Sequence, residues 1–101
     1  MNSTNITINN SGIPKNFELH NNYPNPFNPS TKIQFDVPKN SIVKINVYDI
    51  TGREITTLVN DFKNAGRYEI QFNASNLSSG IYFYKMQASD YKAVRKMMLI
   101  K

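Results

Sequence analysis

KIQFDVPKNSIVKINVYDITGRE, Lys32 to Glu54, decides the fold. Ile33, Phe35 and Val37 alternate with Lys32, Gln34 and Asp36, so one face is apolar and the other polar. A period of two is the signature of a half-buried β-strand. Pro38, Lys39, Asn40 and Ser41 read as a turn. The alternation then resumes, with Val43, Ile45 and Val47 pointing inward. Asp49 to Glu54 turns the chain again, and Gly52 is the expected positive-φ residue.

Downstream the same grammar repeats. REITTLV is a shorter strand carrying Ile55 and Leu58, and the polar piece Asn60–Gly66 loops back. RYEIQF places Tyr68, Ile70 and Phe72 on one side. NASNLSSG is a turn in which Leu77 plugs the core and Gly80 relieves a strained position. IYFYKMQA is apolar on both faces, as a central strand of a two-layer fold should be. After the SDYK turn the last strand is AVRKMMLIK, whose apolar half, Met97 to Ile100, closes the core. Upstream lies NYPNPFNPST, Asn22 to Thr31. Pro24, Pro26 and Pro29 exclude a helix and stiffen the chain. Tyr23 and Phe27 are the expected apolar anchors of this lead-in, which reads as structural rather than as a proline-rich ligand. Residues 1–16 form a polar Asn/Ser/Thr linker, and residues 17–101 form the domain. The sequons at Asn2, Asn5 and Asn9 read as by-products of the linker's composition. Six or seven strands and no helix predict an all-β, immunoglobulin-like β-sandwich of about seven antiparallel strands. Cys and Trp are both absent, so only the architecture is implied, closed by packed aromatics.

The composition excludes more than it selects. The chain has 101 residues, six Tyr and six Phe, enough for one domain with one core. Without cysteine there is no disulfide framework and no thiol chemistry. No stretch approaches the roughly 20 apolar residues of a membrane span. No basic-then-apolar leader follows Met1, so the protein is cytosolic or Met1 opens an excised piece of a longer chain. The only histidine, His20, reads as a surface residue with Glu18 as its one neighbouring acid, which is too little for a metal site. The carboxylates are scattered. Asp49 and Glu54 face each other across the Gly52 turn, where such a pair is usually solvated and met by Arg53. No cofactor, no metal and no catalytic residue is expected, and the chain is not read as an enzyme. The formal charge is +5, but residues 1–90 hold eight Lys/Arg against seven Asp/Glu. Residues 91–101 hold Lys92, Arg95, Lys96 and Lys101 and no acid. The basicity therefore belongs to the tail. Alternating apolar residues there call for burial in a sandwich, which argues against nucleic acid and fits lysines guarding a sheet edge.

Several of these pieces together resemble one family. NYPNPFNPST, VKINVYDITGREITTLV, AGRYEIQFNASNLSSGIYFYKM and the ending RKMMLIK look like the type A C-terminal sorting domain of type IX secretion cargo, the Por secretion system C-terminal domain. The resemblance runs from about Phe17 to Lys101. It implies a domain at the C-terminus of exported proteins of the Bacteroidetes and their relatives. Such a domain is recognised by the outer-membrane translocon after passage through the periplasm. A sortase-like surface peptidase then removes it, and the cargo is anchored at the cell surface or released. The implied localisation is secreted or cell surface. The implied partners are the translocon, the peptidase and the covalently joined cargo, with no nucleic acid and no membrane span. Carried onto this chain, the family's lead-in motif falls on Tyr23, Pro24, Asn25, Pro26, Phe27, Asn28 and Pro29. Its motif glycines fall on Gly52 and Gly80, and its basic ending on Lys96 and Lys101. Cleavage would fall in the linker at or before about residue 16.

Translocon recognition is accordingly expected at Arg95, Lys96 and Lys101. The last strand is expected near a sheet edge, where its free edge invites strand addition and its charge invites an anionic partner. Lys96 and Lys101 are an odd number of residues apart, so on a regular strand they point to opposite faces. The alternative reading is an immunoglobulin-like accessory module of a surface enzyme, a carbohydrate binder or spacer. That reading needs exposed coplanar aromatics, for which Tyr48, Tyr82 and Tyr91 are the candidates.

Overall fold

Residues 12–101 are described by a computed structural model. The segment before Gly12, with its three sequons, lies outside the described residues. The expected strands form two antiparallel sheets packed face to face, with no helix among the described residues. Strands β1 (Glu18–Leu19), β2 (Ser30–Val37) and β5 (Gly66–Asn73) form one sheet in the order β1-β2-β5. Strands β3 (Ser41–Tyr48), β4 (Glu54–Lys63), β6 (Gly80–Ala88) and β7 (Tyr91–Leu99) form the other in the order β4-β3-β6-β7. This is the immunoglobulin-like sandwich that the alternation predicts.

The inner faces carry the predicted residues. Ile33, Phe35 and Val37 from β2 and Val43, Ile45 and Val47 from β3 are fully buried. Tyr68 and Phe72 join them from β5, while Ile70 packs at the margin. The Tyr68 ring stacks on Phe35 at 5.2 Å between centroids. On β6 the inward set is Tyr82, Tyr84, Met86 and Ala88. The opposite face of β6, Ile81, Phe83, Lys85 and Gln87, is half-buried by its neighbours on β3 and β7. β6 is thus the central strand its composition suggests, with its most buried residues on one face.

Two expectations need correction. The strand after the Gly52 turn does not stop near Val59. β4 runs on to Lys63, because Asn60 to Lys63 find backbone partners along Ser41 to Lys44. The predicted loop shrinks to Asn64 and Ala65. Asn40 Oδ1 accepts from the Ala65 amide, and the Tyr68 hydroxyl donates to Asn64 O. Polar Asn60 and Asp61 are tolerated because β4 is an edge strand, with water on its outer side. The register also slips twice, between Ile45 and Asn46 and between Val47 and Tyr48. Ile45 pairs with Val59 and Asn46 with Thr57, so Leu58 is the extra residue of the first bulge. Ile55 is the extra residue of the second, between Thr56 and Glu54. A spacing of three does not fit a regular strand, and the bulges let both Ile55 and Leu58 pack against the core.

The second correction concerns the tail. Met97 and Leu99 are each 1% exposed, but Met98 is 41% exposed and Ile100 48%. Strand parity admits only every other residue to the core, so the tail contributes two side chains to the core rather than four.

Tyr84 is the largest fully buried side chain. Its hydroxyl crosses the sandwich and donates to His20 O at 2.6 Å. Burial pushes its phenol up to about 12, against a smaller opposing pull from the Asn22 backbone and the Arg95 charge. In the unfolded chain the phenol titrates near 10.0. Below that pH both states hold the proton and the full stability is present. Between about 10 and 12 only the unfolded state loses it, so stability falls by roughly 1.4 kcal/mol per pH unit. Urea unfolding at stepped pH should show this alkaline loss, and Tyr84→Phe should make it shallower while costing about 1 kcal/mol at neutral pH.

Candidate functional site

The residues singled out by sequence fall mainly on one edge of the sandwich, where the proline-rich lead-in meets the last strand. The lead-in is fixed at its base by a small polar knot. Tyr23 and Lys32 exchange two backbone bonds, at 2.9 and 3.0 Å. Asn22, buried, donates from Nδ2 to Thr31 Oγ1 and to Pro24 O, and Thr31 Oγ1 donates to the same carbonyl at 2.8 Å. Pro29 O accepts from the Ala74 amide. A chain with three prolines supplies few amides of its own, so side chains take over part of its hydrogen bonding.

Of the two predicted anchors only Phe27 is buried, at 2% exposure, packed on Phe72 with centroids 6.2 Å apart. Tyr23 is 80% exposed, a correction to the sequence reading. Tyr23 bridges Lys32, whose side chain faces away from the core, so Tyr23 faces water too.

Phe27 also reaches the tail through its backbone. Its amide donates to Met98 O and its carbonyl accepts from the Ile100 amide, both at 2.9 Å. This is a parallel bridge opposite Leu99. Asn25 Oδ1 accepts from the Met98 amide at 3.0 Å. Nearer the start of β7, Arg95 Nε donates to Leu19 O at 2.9 Å, and the Tyr91 hydroxyl accepts from the Leu19 amide. Phe17 stacks on Tyr91 at 5.7 Å. The expected free edge of the last strand is therefore corrected. β7 is the outer strand of its sheet, yet β1 and the lead-in lie along it. A strand edge left bare would template pairing with other chains; here Asn25 and Phe27 close it at Met98 and Ile100, and the Tyr91 and Arg95 side chains tie its earlier part to Leu19.

The three expected recognition residues separate into different environments. Arg95 is half-buried and clamps β7 to Leu19 of the opposite sheet. Lys96 is exposed on the outer face, across from Phe83. It borders a cleft of about 200 Å³ shared with Asn25, Pro26, Ile81 and Met98. Lys101 lies beyond the strand and folds over the loop that carries Leu77. Its amide donates to Ser79 Oγ at 3.0 Å and its Nζ to Ser75 O at 2.7 Å. Lys96 and Lys101 thus occupy different surfaces, although Lys101 lies past the end of β7, where strand parity no longer applies. Pro24 and Asn28 are exposed on the lead-in. Gly52 has φ of +91° in its turn, where Asp49 Oδ1 accepts from the Thr51 amide and hydroxyl and from the Arg53 amide. The Thr51 hydroxyl and these amides hold the Asp49 carboxyl below its ordinary value. Gly80 opens β6 opposite Leu99, with space where a Cβ would stand.

The sequence reading missed one cluster. Glu18 lies directly opposite Asp36 in the β1–β2 pair, and His20 Nε2 is 3.2 Å from Asp36 Oδ2. His20 therefore has two carboxylates within reach rather than one, and one ligand atom from each residue falls within 4.8 Å of the others. A two-residue strand shows no alternation, so nothing in the sequence pointed to this register. The other chemical candidates do not assemble. Asp49 pairs loosely with Arg53 at 3.5 Å, and Glu54 accepts from Thr57. Tyr82 is buried with its hydroxyl on Ser78 O, Tyr91 is stacked on Phe17, and Tyr48 lies under Lys85 Nζ at 5.7 Å. These three rings do not form an exposed coplanar platform. Among the described residues no helix is long and apolar enough to cross a membrane.

The comparisons agree with this geometry. A family model described as the secretion system C-terminal sorting domain matches residues 21–101, from the lead-in to the last lysine. No curated protein matches the chain. Among solved structures, PorZ of Porphyromonas gingivalis is similar. It is described as an essential bacterial surface component of the type IX secretion system. The TM-score is 0.57 at 19% identity, over 90% of this chain and 13% of that one. This chain therefore spans a small part of PorZ, and the likeness is one of fold.

Phe27→Ala should destabilise the domain by about 3–5 kcal/mol in equilibrium unfolding, the usual cost of emptying a buried phenylalanine site. Tyr23→Ala, in the same motif, should stay within about 0.5 kcal/mol of the parent. Equal losses at the two positions would mean that the lead-in is not anchored through Phe27.

Proposed function

The chain belongs to the family of secretion system C-terminal sorting domains, and on that premise we propose that its lead-in and tail act together as one non-catalytic address. Membership indicates a type IX secretion C-terminal sorting signal, and such a signal implies export to the cell surface or beyond. The observation that carries the finer reading is the bridge from Phe27 to Met98 and Ile100. It joins the two segments that look most like motifs into a single structural unit. From two different faces of that unit Lys96 and Lys101 are the cations offered to an outer-membrane translocon, while Arg95 holds the strand in place. Charged groups of this kind steer and select a partner more than they set raw affinity. A sortase-like surface peptidase would then cut in the polar segment at or before about residue 16, which frees or anchors the cargo. Lacking an exposed aromatic platform among Tyr48, Tyr82 and Tyr91, the domain gives a carbohydrate-binding role little support.

A reporter fused ahead of this chain should reach the outside of a host with a type IX apparatus. In a translocon-deficient strain it should stay in the periplasm. Lys96→Ala combined with Lys101→Ala should keep the parent unfolding midpoint yet leave the reporter periplasmic. Export of that folded double variant at the parent level would refute recognition through these charges. Mass spectrometry of the surface product should place its new end before the sandwich.

A further inference from the structure

The two outer faces of the sandwich are charged very differently. On the three-stranded sheet the charges are answered: Lys32 meets Glu69 at 3.4 Å and His20 meets Asp36 at 3.2 Å. The four-stranded sheet is unlike it. Register places Lys44, Gln87 and Lys92 in one row across β3, β6 and β7. The next rows are Asn46–Lys85–Val94 and Tyr48–Phe83–Lys96. Four lysines thus share this face, and Glu54, opposite Tyr48 at a corner, is the only carboxylate in its rows. Large apolar side chains stand between and beyond them. Ile42 is 68% exposed, its partner Phe62 56%, Val94 54% and Met98 41%.

We propose that this face docks onto an anionic lipid surface, with the lysines among the headgroups and Ile42, Phe62, Val94 and Met98 dipping below them. Three observations favour lipid over an acidic protein. The cations are all lysine, which acts as a point charge, whereas protein interfaces favour arginine for its fork of donors and are depleted in lysine. The apolar residues are spread along the face rather than gathered in one anchor pocket. Lys92 to Met98 alone spans about 20 Å of strand. Cations mixed with protruding apolar groups are also what an anionic bilayer interface rewards. The inference is independent of export, and its far end, Ile42, Phe62, Lys44 and Lys92, lies apart from the lead-in and from Lys96 and Lys101.

The test is co-sedimentation of the whole 101-residue chain with vesicles of phosphatidylcholine alone or of phosphatidylcholine mixed with phosphatidylglycerol. The expected result is binding to the mixed vesicles, little to the neutral ones, and weakening with added salt. Lys44→Gln with Lys92→Gln should weaken partitioning roughly thirtyfold, about fivefold for each lysine. Phe62→Ser should weaken it further. Lys15→Gln with Lys39→Gln, which removes the same charge elsewhere, should leave it unchanged. Near-ultraviolet circular dichroism would check that each variant is folded. Equal binding to both vesicles, or an equal loss in the Lys15/Lys39 variant, would overturn the proposal. So would binding to polyglutamate without any affinity for the mixed vesicles, which would point to an acidic polypeptide instead.

Discussion

The pair of backbone hydrogen bonds between Phe27 and the residues flanking Leu99 ties the lead-in to the last strand, and the closure of this edge depends on it. Phe27 places its ring against Phe72 of the three-stranded sheet and its peptide groups against β7 of the four-stranded sheet. One residue therefore ties both layers together. Arg95 to Leu19 and Tyr84 to His20 repeat the device further along the same edge. With no cysteine in the chain, such cross-layer bonds do the fastening that a disulfide does elsewhere. They also span 64 to 76 residues of sequence, so the edge cannot close until the tail is in place. Sandwiches of this kind are rich in distant contacts and slow to complete.

That constraint shapes how the tail can be read by a partner. Its backbone is bonded on one side by β6 and on the other, at Met98 and Ile100, by the lead-in, while the Tyr91 and Arg95 side chains reach the backbone of β1. The cations on offer there are Lys96, at the cleft beside Asn25 and Pro26, and Lys101, on the serine-rich loop. Damage to the lead-in would disturb the tail surface as well, since Asn25 and Phe27 together satisfy the amide and carbonyl of Met98. The two motifs are one structural unit although some 70 residues separate them.

Much of this was legible in the sequence. The alternations of β2 and β3 named their buried apolar residues correctly, because a period of two fixes the inner face once it is covered; buried Thr31 and Asn46 were not among them. Gly52 was visible as the positive-φ residue of its turn. What escaped detection depends on pairing between distant segments. β1 is too short to show a pattern, so the meeting of Glu18 and His20 with Asp36 could not be seen. β4 looked short because Asn60 and Asp61 break the apolar run, and only its pairing with β3 keeps them in a strand. Tyr23 and Phe27 look equivalent in NYPNPFNPST, but the side each faces is decided by which strand it bridges. For the tail, the apolar run concealed a simple parity: Met97 and Leu99 go in, Met98 and Ile100 stay out.

The account stands on the claim that the end of the chain is locked by the lead-in and does not fray. Termini normally open with almost no free-energy cost, whereas amides held by core structure exchange only through large-scale unfolding. Native-state hydrogen exchange at the Ile100 amide, the donor to Phe27 O, measures this directly. The account predicts that Ile100, one residue from the end, is protected nearly as well as the central amides of β6. Free exchange at Ile100 beside a protected β6 would show that the bridge does not hold the tail, and would contradict it.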